Sequence, residues 1–160
     1  MMWVCRAGSN ALYLNYFLDN LRIALPWEGY RIDLSELRTR DEFKQVVSME
    51  KGEISSVSIS NWGAQLYSLC CEMKIGDLVL IPGKQSHEYS LAIVVGEYMY
   101  LEKEQFCHVR DIKIINEHIP SSIFTQTIRY SLGAVRTLFK VKHESEILEI
   151  LENKMIDEKF

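Results

Sequence analysis

SISNWGAQLYSLCCEMKIGDLVLIPG, residues 58–83, is the stretch of sequence that decides the fold. Its apolar residues first recur at the spacing of one helix face. The predicted buried stripe of this helix consists of Trp62, Leu66, Leu69 and Met73. The pair Gly76-Asp77 then predicts a turn, and the continuous apolar run at residues 78–81 predicts a buried strand. A helix that leads through a tight turn into a buried strand is typical of domains in which helices pack against a sheet.

The same stretch contains two residues, Asn61 and Trp62, whose side chains are not required to form a helix. Ser58 or Ser60 is predicted to cap the helix, which would place Asn61 and Trp62 at its start. A flat apolar ring beside an amide that both donates and accepts hydrogen bonds suits a planar polar ligand such as a nucleobase. Plainer roles stay open for both residues, because Asn61 could be a helix cap and Trp62 could fill the core.

Length and composition bound the class of protein. The 160 residues are expected to form one domain with its own core. No segment approaches the roughly 18 apolar residues that span a bilayer, and Arg6 interrupts any signal peptide near the start. The four cysteines form no CxxC pair, so we expect buried reduced thiols, no metal and no cofactor. We therefore expect a cytoplasmic protein.

The charge of the chain is unevenly distributed. Residues 143–160 contain six acidic and two basic residues, whereas acidic and basic residues balance over residues 1–142. A neutral body argues against binding nucleic acid by charge alone. It still allows a local basic face around a specific pocket.

Hydrophobic periodicity and turn residues predict further strands and helices along the chain. The predicted strands lie at residues 2–7, 22–25, 89–100 (with a bulge or bend at Gly96), 108–115 and 135–141. The predicted helices lie at residues 11–19, at 40–49 behind a capping box of Thr39 and Glu42, between Pro120 and Gly133, and beyond Glu144. The middle strands follow one another too closely for parallel crossovers. The sequence therefore predicts an α+β domain with a curved, partly open, mostly antiparallel barrel of five to six strands, flanked by helices.

The ordered series of motifs resembles the PUA-like superfold, which includes EVE and YTH domains, and in particular the EVE-like N-terminal domain of Mrr-type restriction endonucleases. The matching segments are WVCRAG at 3–8, IALPWEG at 23–29, SNWGAQL at 60–66, KIGDLVLIP at 74–82, AIVVGEY at 92–98, HVRDIKI at 108–114 and SLGAVRTLFKV at 131–141. The resemblance covers residues 2–142. It implies a base-recognition domain at 1–142, followed by an acidic C-terminal helix or linker at 143–160. Because a nuclease domain follows in the resembling family, we expect the chain to be a fragment or a single-domain relative.

The resemblance implies a module that binds DNA and holds a methylated or otherwise modified base, flipped out of the duplex, in an aromatic pocket. Trp27 matches the position after the second strand where YTH-type members place a cage tryptophan. The expected ligand-binding residues are Arg6, Trp27, Asn61, Trp62, Gln65, Tyr98 and Phe106. The expected phosphate-facing rim consists of Lys84, Arg110 and Lys113. Such a module would give specificity to a restriction or phage-defence effector, in the form of a fused or separate nuclease.

Three other functions stay open from the sequence. The same pocket could read RNA, or the domain could be a protein-interaction module with a vestigial pocket and an acidic tail that assembles homo-oligomers. An enzyme is disfavoured, although Glu72-Met73-Lys74 and Asp111-Ile112-Lys113 have the local form of nuclease motifs. Neither motif follows a Pro-Asp partner, so no catalytic residue is expected in this chain.

Overall fold

The computed structural model describes the backbone of residues 1–159 and the side chains of residues 1–155. Within these residues the strands are β1 (Met2–Cys5), β2 (Arg22–Ala24), β3 (Leu78–Pro82), β4 (Glu88–Val94), β5 (Met99–Tyr100), β6 (His108–Pro120) and β7 (Leu138–Lys140). The helices are α1 (Leu14–Asn20), α2 (Arg40–Lys51), α3 (Ser56–Tyr67), α4 (Gln126–Leu132) and α5 (Glu144–Lys159).

Six of the strands form one curled sheet in the order β2-β6-β4-β3-β1-β7, and the two-residue strand β5 pairs with β6 beside this path. Strands β1 and β3 run parallel, whereas the other pairs are antiparallel. The edge strands β2 and β7 do not pair with each other in the described residues, so the barrel stays open. The structure confirms the predicted α+β class, with a curved, partly open, mostly antiparallel sheet flanked by helices.

The predicted Gly76-Asp77 turn anchors the centre of the sheet. Gly76 has a φ of 97°, which an L side chain rarely adopts, so glycine is the residue that this turn requires. Asp77 Oδ2 accepts hydrogen bonds from the Trp3 indole at 3.0 Å and from the Lys74 backbone N–H at 3.0 Å. The turn therefore fixes β3 beside β1, whose residues are all buried.

Helix α3 begins earlier than the sequence predicted. Ser55 is the N-cap, because its side chain accepts a hydrogen bond from the Ser58 backbone N–H, so the prediction of a cap at Ser58 or Ser60 is wrong. Asn61 consequently lies in the middle of α3, where its side chain is not needed as a cap. The helix ends in a π-turn over residues 68–72, closed by a bond from the Met73 N–H to the Ser68 carbonyl.

Several strand boundaries also differ from the sequence-based prediction, and β6 continues to Pro120 rather than ending at residue 115. The long strand predicted at residues 89–100 is divided at Gly96, where an added Cβ would lie 3.1 Å from Asp111 Cβ. The last strand begins at Leu138 rather than at Val135, so residues 133–137 form a loop before β7. This loop, rather than a strand, borders the cavities described below.

Helix α5 packs on the outer side of the sheet. Its residues Ile147 and Leu151 are buried in a core that also contains Met2 and Val4 of β1. The helix thus covers the face of β1 opposite to Trp3 and Cys5, which belong to the second core. None of the helices in the described part of the chain is long and apolar enough to cross a membrane.

Candidate ligand-binding site

Four of the predicted ligand-binding residues come together in one cavity of about 180 Å³, which we call the central cavity. Its lining consists of Trp27, Asn61, Trp62, Gln65, Val135, Arg136 and Thr137. Helix α3 presents Asn61 and Gln65 one turn apart. The loop after β2 supplies Trp27, and the loop before β7 closes the other side. The volume equals that of about six liquid waters, which suits one ring system rather than a whole nucleotide.

The two tryptophans do not form an open sandwich. Their ring centroids are 4.5 Å apart with an interplanar angle of 54°, so each ring packs against the other. Trp62 also lies beneath the Lys51 ammonium, which is 4.6 Å from its ring centroid. Trp27 borders a second cavity as well as the central one. The ring of Trp27 is therefore the better surface for a stacked ligand, and Trp62 supports it from behind.

The orientation of Trp27 is fixed by the loop that precedes β7. Its indole Nε1 donates a hydrogen bond to Thr137 Oγ1 at 3.3 Å. The ring of Tyr30 lies 5.8 Å away from it, centroid to centroid. Contacts on both its edge and its face hold Trp27 in place before any ligand binds, which reduces the entropy lost on binding.

Gln65 joins two parts of the cavity wall, and its side-chain oxygen is already used as a hydrogen-bond acceptor. Its Oε1 accepts hydrogen bonds from the backbone N–H groups of Thr137 and Leu138, both at 3.0 Å. The side chain is 6% exposed. These bonds satisfy the backbone N–H groups of the last loop residue and of the first residue of β7, so Gln65 attaches the loop to α3.

Asn61 differs from Gln65 in that its side-chain oxygen is not used as an acceptor within the described residues. Its Oδ1 is buried and has no hydrogen-bond partner among the described residues. A buried amide oxygen without a partner costs about 1–3 kcal/mol of stability, and such atoms are uncommon in folded proteins. Asn61 lines the central cavity, but its Oδ1 is closed to solvent. A ligand with an N–H donor therefore reaches this oxygen only when the amide turns toward the cavity.

Arg6 lies on the far side of Trp27, in a second cavity of about 670 Å³. Its Nε donates to the carbonyl of Ala134 and its Nη2 to the carbonyl of Leu132, each at 3.0 Å. The guanidinium thus holds the loop before β7 from the opposite side to Gln65. Arg6 lines a cavity that adjoins the central one, but it also has this structural task.

Tyr98 and Phe106 do not line the central cavity, so the structure does not bring them together with the other predicted ligand-binding residues. The Tyr98 hydroxyl is bound to His108 Nδ1 at 2.6 Å and accepts from the Leu34 N–H. Phe106 is 5% exposed and packs edge-on against Tyr13, with ring centroids 4.7 Å apart. Phe106 belongs to the main core, and Tyr98 packs against it.

The structure removes Arg110 from the predicted cationic rim. Arg110 is 1% exposed, and its guanidinium donates to the carbonyls of Gly96, Leu69 and Met73 at 2.7–3.0 Å. It therefore ties the π-turn after α3 to β6 instead of facing a phosphate. Lys84 and Lys113 are exposed, but neither borders the central cavity.

The sequence reasoning missed the loop residues Val135, Arg136 and Thr137. Alternation of apolar and polar residues predicted a strand there, whereas Gln65 captures the N–H of Thr137 before β7 begins. The sequence feature that could have indicated a functional segment here is the close spacing of Arg136, Lys140 and Lys142. These form a local basic segment within a body of balanced charge.

His108 is the buried titratable group behind the aromatic cluster. Burial is the main cause that lowers its pKa, and the hydrogen bond from Nε2 to the Tyr30 carbonyl acts against it. Since Nε2 donates, neutral His108 accepts at Nδ1 from the Tyr98 hydroxyl. Protonation of Nδ1 would turn this nitrogen from an acceptor into a donor, so the Tyr98 hydroxyl could no longer donate its proton to it.

We expect the free energy of unfolding to be insensitive to His108 above its ordinary pKa of 6.5 and to fall as the pH drops below that value. The unfolded chain takes up the proton first, because the folded pKa is lower, and proton uptake then favours unfolding. Urea unfolding between about pH 5 and pH 7 measures the effect. His108→Gln should show a smaller loss. His87→Gln, which alters an exposed histidine whose ring bonds Gln85, should retain the native loss. Equal pH dependence in His108→Gln and the native protein would contradict the assignment.

The fold and site define a single α+β half-barrel with a small aromatic and amide-lined cavity at the ends of β1, β2 and β7. The chain belongs to the family described as domain of unknown function DUF8426, whose family model matches residues 3–142. No curated protein sequence matches the chain. The matched range contains every residue of the central cavity.

Proposed function

We propose that this protein is a nucleic-acid-binding module that holds one base in the central cavity. The observation that carries the proposal is that Asn61, whose buried Oδ1 is unpaired among the described residues, lines the same cavity as Trp27. A nucleobase has π-faces that stack on aromatic side chains, and its exocyclic amines donate hydrogen bonds to amide oxygens. The cavity offers one partner for each of these features.

The small volume of the cavity favours a base that has left its stack. A cavity of about 180 Å³ excludes the sugar and phosphate, so the base must be flipped out or already single-stranded. Flipping costs a few kcal/mol. Stacking on Trp27 returns about 1–3 kcal/mol, and a hydrogen bond to Asn61 returns about 0.5–1.5 kcal/mol. These terms are similar in size, so a base whose pairing is already weakened is favoured.

The resemblance to EVE and YTH domains supplies the finer part of the proposal. On that basis the base is a modified one in DNA, and the module gives specificity to a restriction or phage-defence effector in the cytoplasm. The catalytic step is then assigned to a fused or separate nuclease rather than to this chain. An RNA reader with the same cavity is the second candidate, and matched DNA and RNA oligonucleotides distinguish the two.

The alternative of assembly through the acidic tail has less support. Ile147 and Leu151 of α5 are buried against the body of the same chain, so these two residues of the helix already have an internal partner. A helix that assembles oligomers needs an apolar face that is free for the second copy.

We expect Asn61→Ala to weaken binding of the preferred base about 3- to 10-fold, which corresponds to the loss of one hydrogen bond. The same change should leave the free energy of unfolding unchanged or raise it by about 0.5 kcal/mol, because alanine is the better helix former. It also removes an unpaired buried oxygen. Oligonucleotides that contain one plain, methylated or hydroxymethylated base, as DNA and as RNA, measure the binding. Urea unfolding measures the stability.

Ser60→Ala is the matched control for this experiment. Ser60 is the preceding residue of α3, is exposed and does not line the central cavity. Its replacement should leave both binding and base preference unchanged. If Asn61→Ala bound every oligonucleotide as the native protein does, the base assignment would be refuted.

A further inference from the structure

A third cavity, of about 520 Å³, adjoins the central cavity. We call it the basic groove. It shares Asn61, Gln65 and Arg136 with the central cavity, so the two are continuous at the surface. The shared residues make the groove the direct extension of the place where a base is proposed to bind.

The basic groove concentrates positive charge. Arg40, Arg136, Lys140 and Lys142 all line it, and Glu72 is its one acidic lining residue among the described part of the chain. This is a local feature, because acidic and basic residues balance over residues 1–142. Such a concentration on one face is the electrostatic footprint expected of a surface that binds phosphates.

Internal pairing uses only part of this charge. Lys140 forms an ion pair with Glu72, and Arg40 lies 3.9 Å from the same carboxylate. The Arg40 guanidinium also lies over the ring of Tyr67, 4.4 Å from its centroid. These contacts hold two of the four cations against the wall of the groove.

Arg136 and Lys142 are the cations that remain available. Both are exposed, and neither has a hydrogen-bond or ion-pair partner within the residues that the structure describes. They lie at the two ends of the segment that contains β7. Arg136 borders both cavities, so an anion held by it lies beside the mouth of the central cavity.

We infer that the basic groove binds the sugar-phosphate backbone of the nucleic acid next to the base held in the central cavity. This inference rests on the proposed function. Arg136 contacts a phosphate adjoining the bound nucleotide, and Lys142 contacts a phosphate further along the strand. Each contact releases condensed counterions, so the affinity gained depends on salt and not on base identity.

The test replaces both free cations, in Arg136→Gln/Lys142→Gln, and measures binding of a short single-stranded oligonucleotide between about 50 and 200 mM salt. Each lost phosphate contact lowers the slope of log affinity against log salt by about 0.7 for a single strand. We expect the slope to fall by about 1.4 in the double variant and by about 0.7 in Lys142→Gln alone. The single variant should keep the native preference among plain and modified bases, because Lys142 does not line the central cavity. Circular dichroism and urea unfolding check that the fold is intact.

Lys84→Gln/Lys113→Gln is the matched control. It removes the same charge from two exposed lysines that do not line the groove. This variant should retain the native slope. An equal fall of the slope in both double variants, or a native slope in Arg136→Gln/Lys142→Gln, would overturn the inference. Since Lys140 and Arg40 stay in place, the Glu72 pairs are not disturbed.

A free nucleoside separates this inference from the proposed function. It carries a base but no phosphate, so its binding should be weakened by Asn61→Ala and unaffected by Lys142→Gln, which alters a residue outside the central cavity. A reduced salt dependence in the groove variant would support the groove. If Asn61→Ala at the same time bound the nucleoside as the native protein does and kept the native base preference, the base cavity alone would be refuted. Lack of oligonucleotide binding by the native protein would refute both.

Discussion

Trp27→Ala is expected to reduce the affinity for an oligonucleotide that carries the preferred base by about 5- to 150-fold. Base–aromatic stacking contributes about 1–3 kcal/mol, and each 1.4 kcal/mol corresponds to about tenfold in affinity. The structure favours Trp27 over Trp62 for this role, because Trp62 is covered by Trp27 and by Lys51. Fluorescence anisotropy with plain and modified oligonucleotides measures the affinity and shows that the difference between them disappears.

Two variants make this experiment specific. Trp27→Phe keeps a flat ring and should retain part of the affinity, which a role in filling space alone does not require. Tyr130→Ala removes an aromatic residue that is 88% exposed and lies outside the central cavity, so it should bind as the native protein does. The assignment of Trp27 fails if Trp27→Ala, still folded by circular dichroism, discriminates between bases as before.

Arg110→Met is expected to lower the free energy of unfolding by about 3 kcal/mol. The substitution leaves the carbonyls of Gly96, Leu69 and Met73 without their donor, at a cost of about 1 kcal/mol or more each. Methionine retains most of the apolar stem, so the loss reports the missing hydrogen bonds rather than a large cavity. Urea unfolding at pH 7 measures the change in the midpoint and the slope.

Lys113→Met is the matched control, because it removes a cation three residues further along β6. Lys113 is exposed, so its replacement should change stability by no more than about 0.5 kcal/mol. A similar small change for Arg110→Met would show that the π-turn does not depend on this guanidinium. The pair of variants also distinguishes the two positions that the sequence had assigned to one rim.

Hydrophobic periodicity was sufficient to predict most of the helices and strands and the class of fold. The stripe of Leu66, Leu69 and Met73 is buried as the helical spacing predicted. The capping box of Thr39 and Glu42 starts α2 as expected, with both reciprocal bonds present. These signals act within a few residues of one another, so they are readable from the local sequence.

The outcome for the candidate site was mixed. Trp27, Asn61, Trp62 and Gln65 were named from the sequence and line one cavity. Gln65, however, is occupied by the N–H groups of Thr137 and Leu138, which are 72 and 73 residues away. Sequence spacing along α3 could not indicate which amide would find a partner and which would remain unpaired.

The sequence by itself determined the helices, most of the strands, the Gly76-Asp77 turn and the presence of an amide beside a tryptophan. Only the tertiary structure decided that Arg110 points inward, that Phe106 belongs to the core, and that Arg136 and Lys142 form the free positive charge. The physical reason is that a charged residue on a strand has the same local pattern whether it faces solvent or an unpaired carbonyl. Those carbonyls belong to a π-turn about 40 residues earlier in the chain, and the closing of the curled sheet brings the two together.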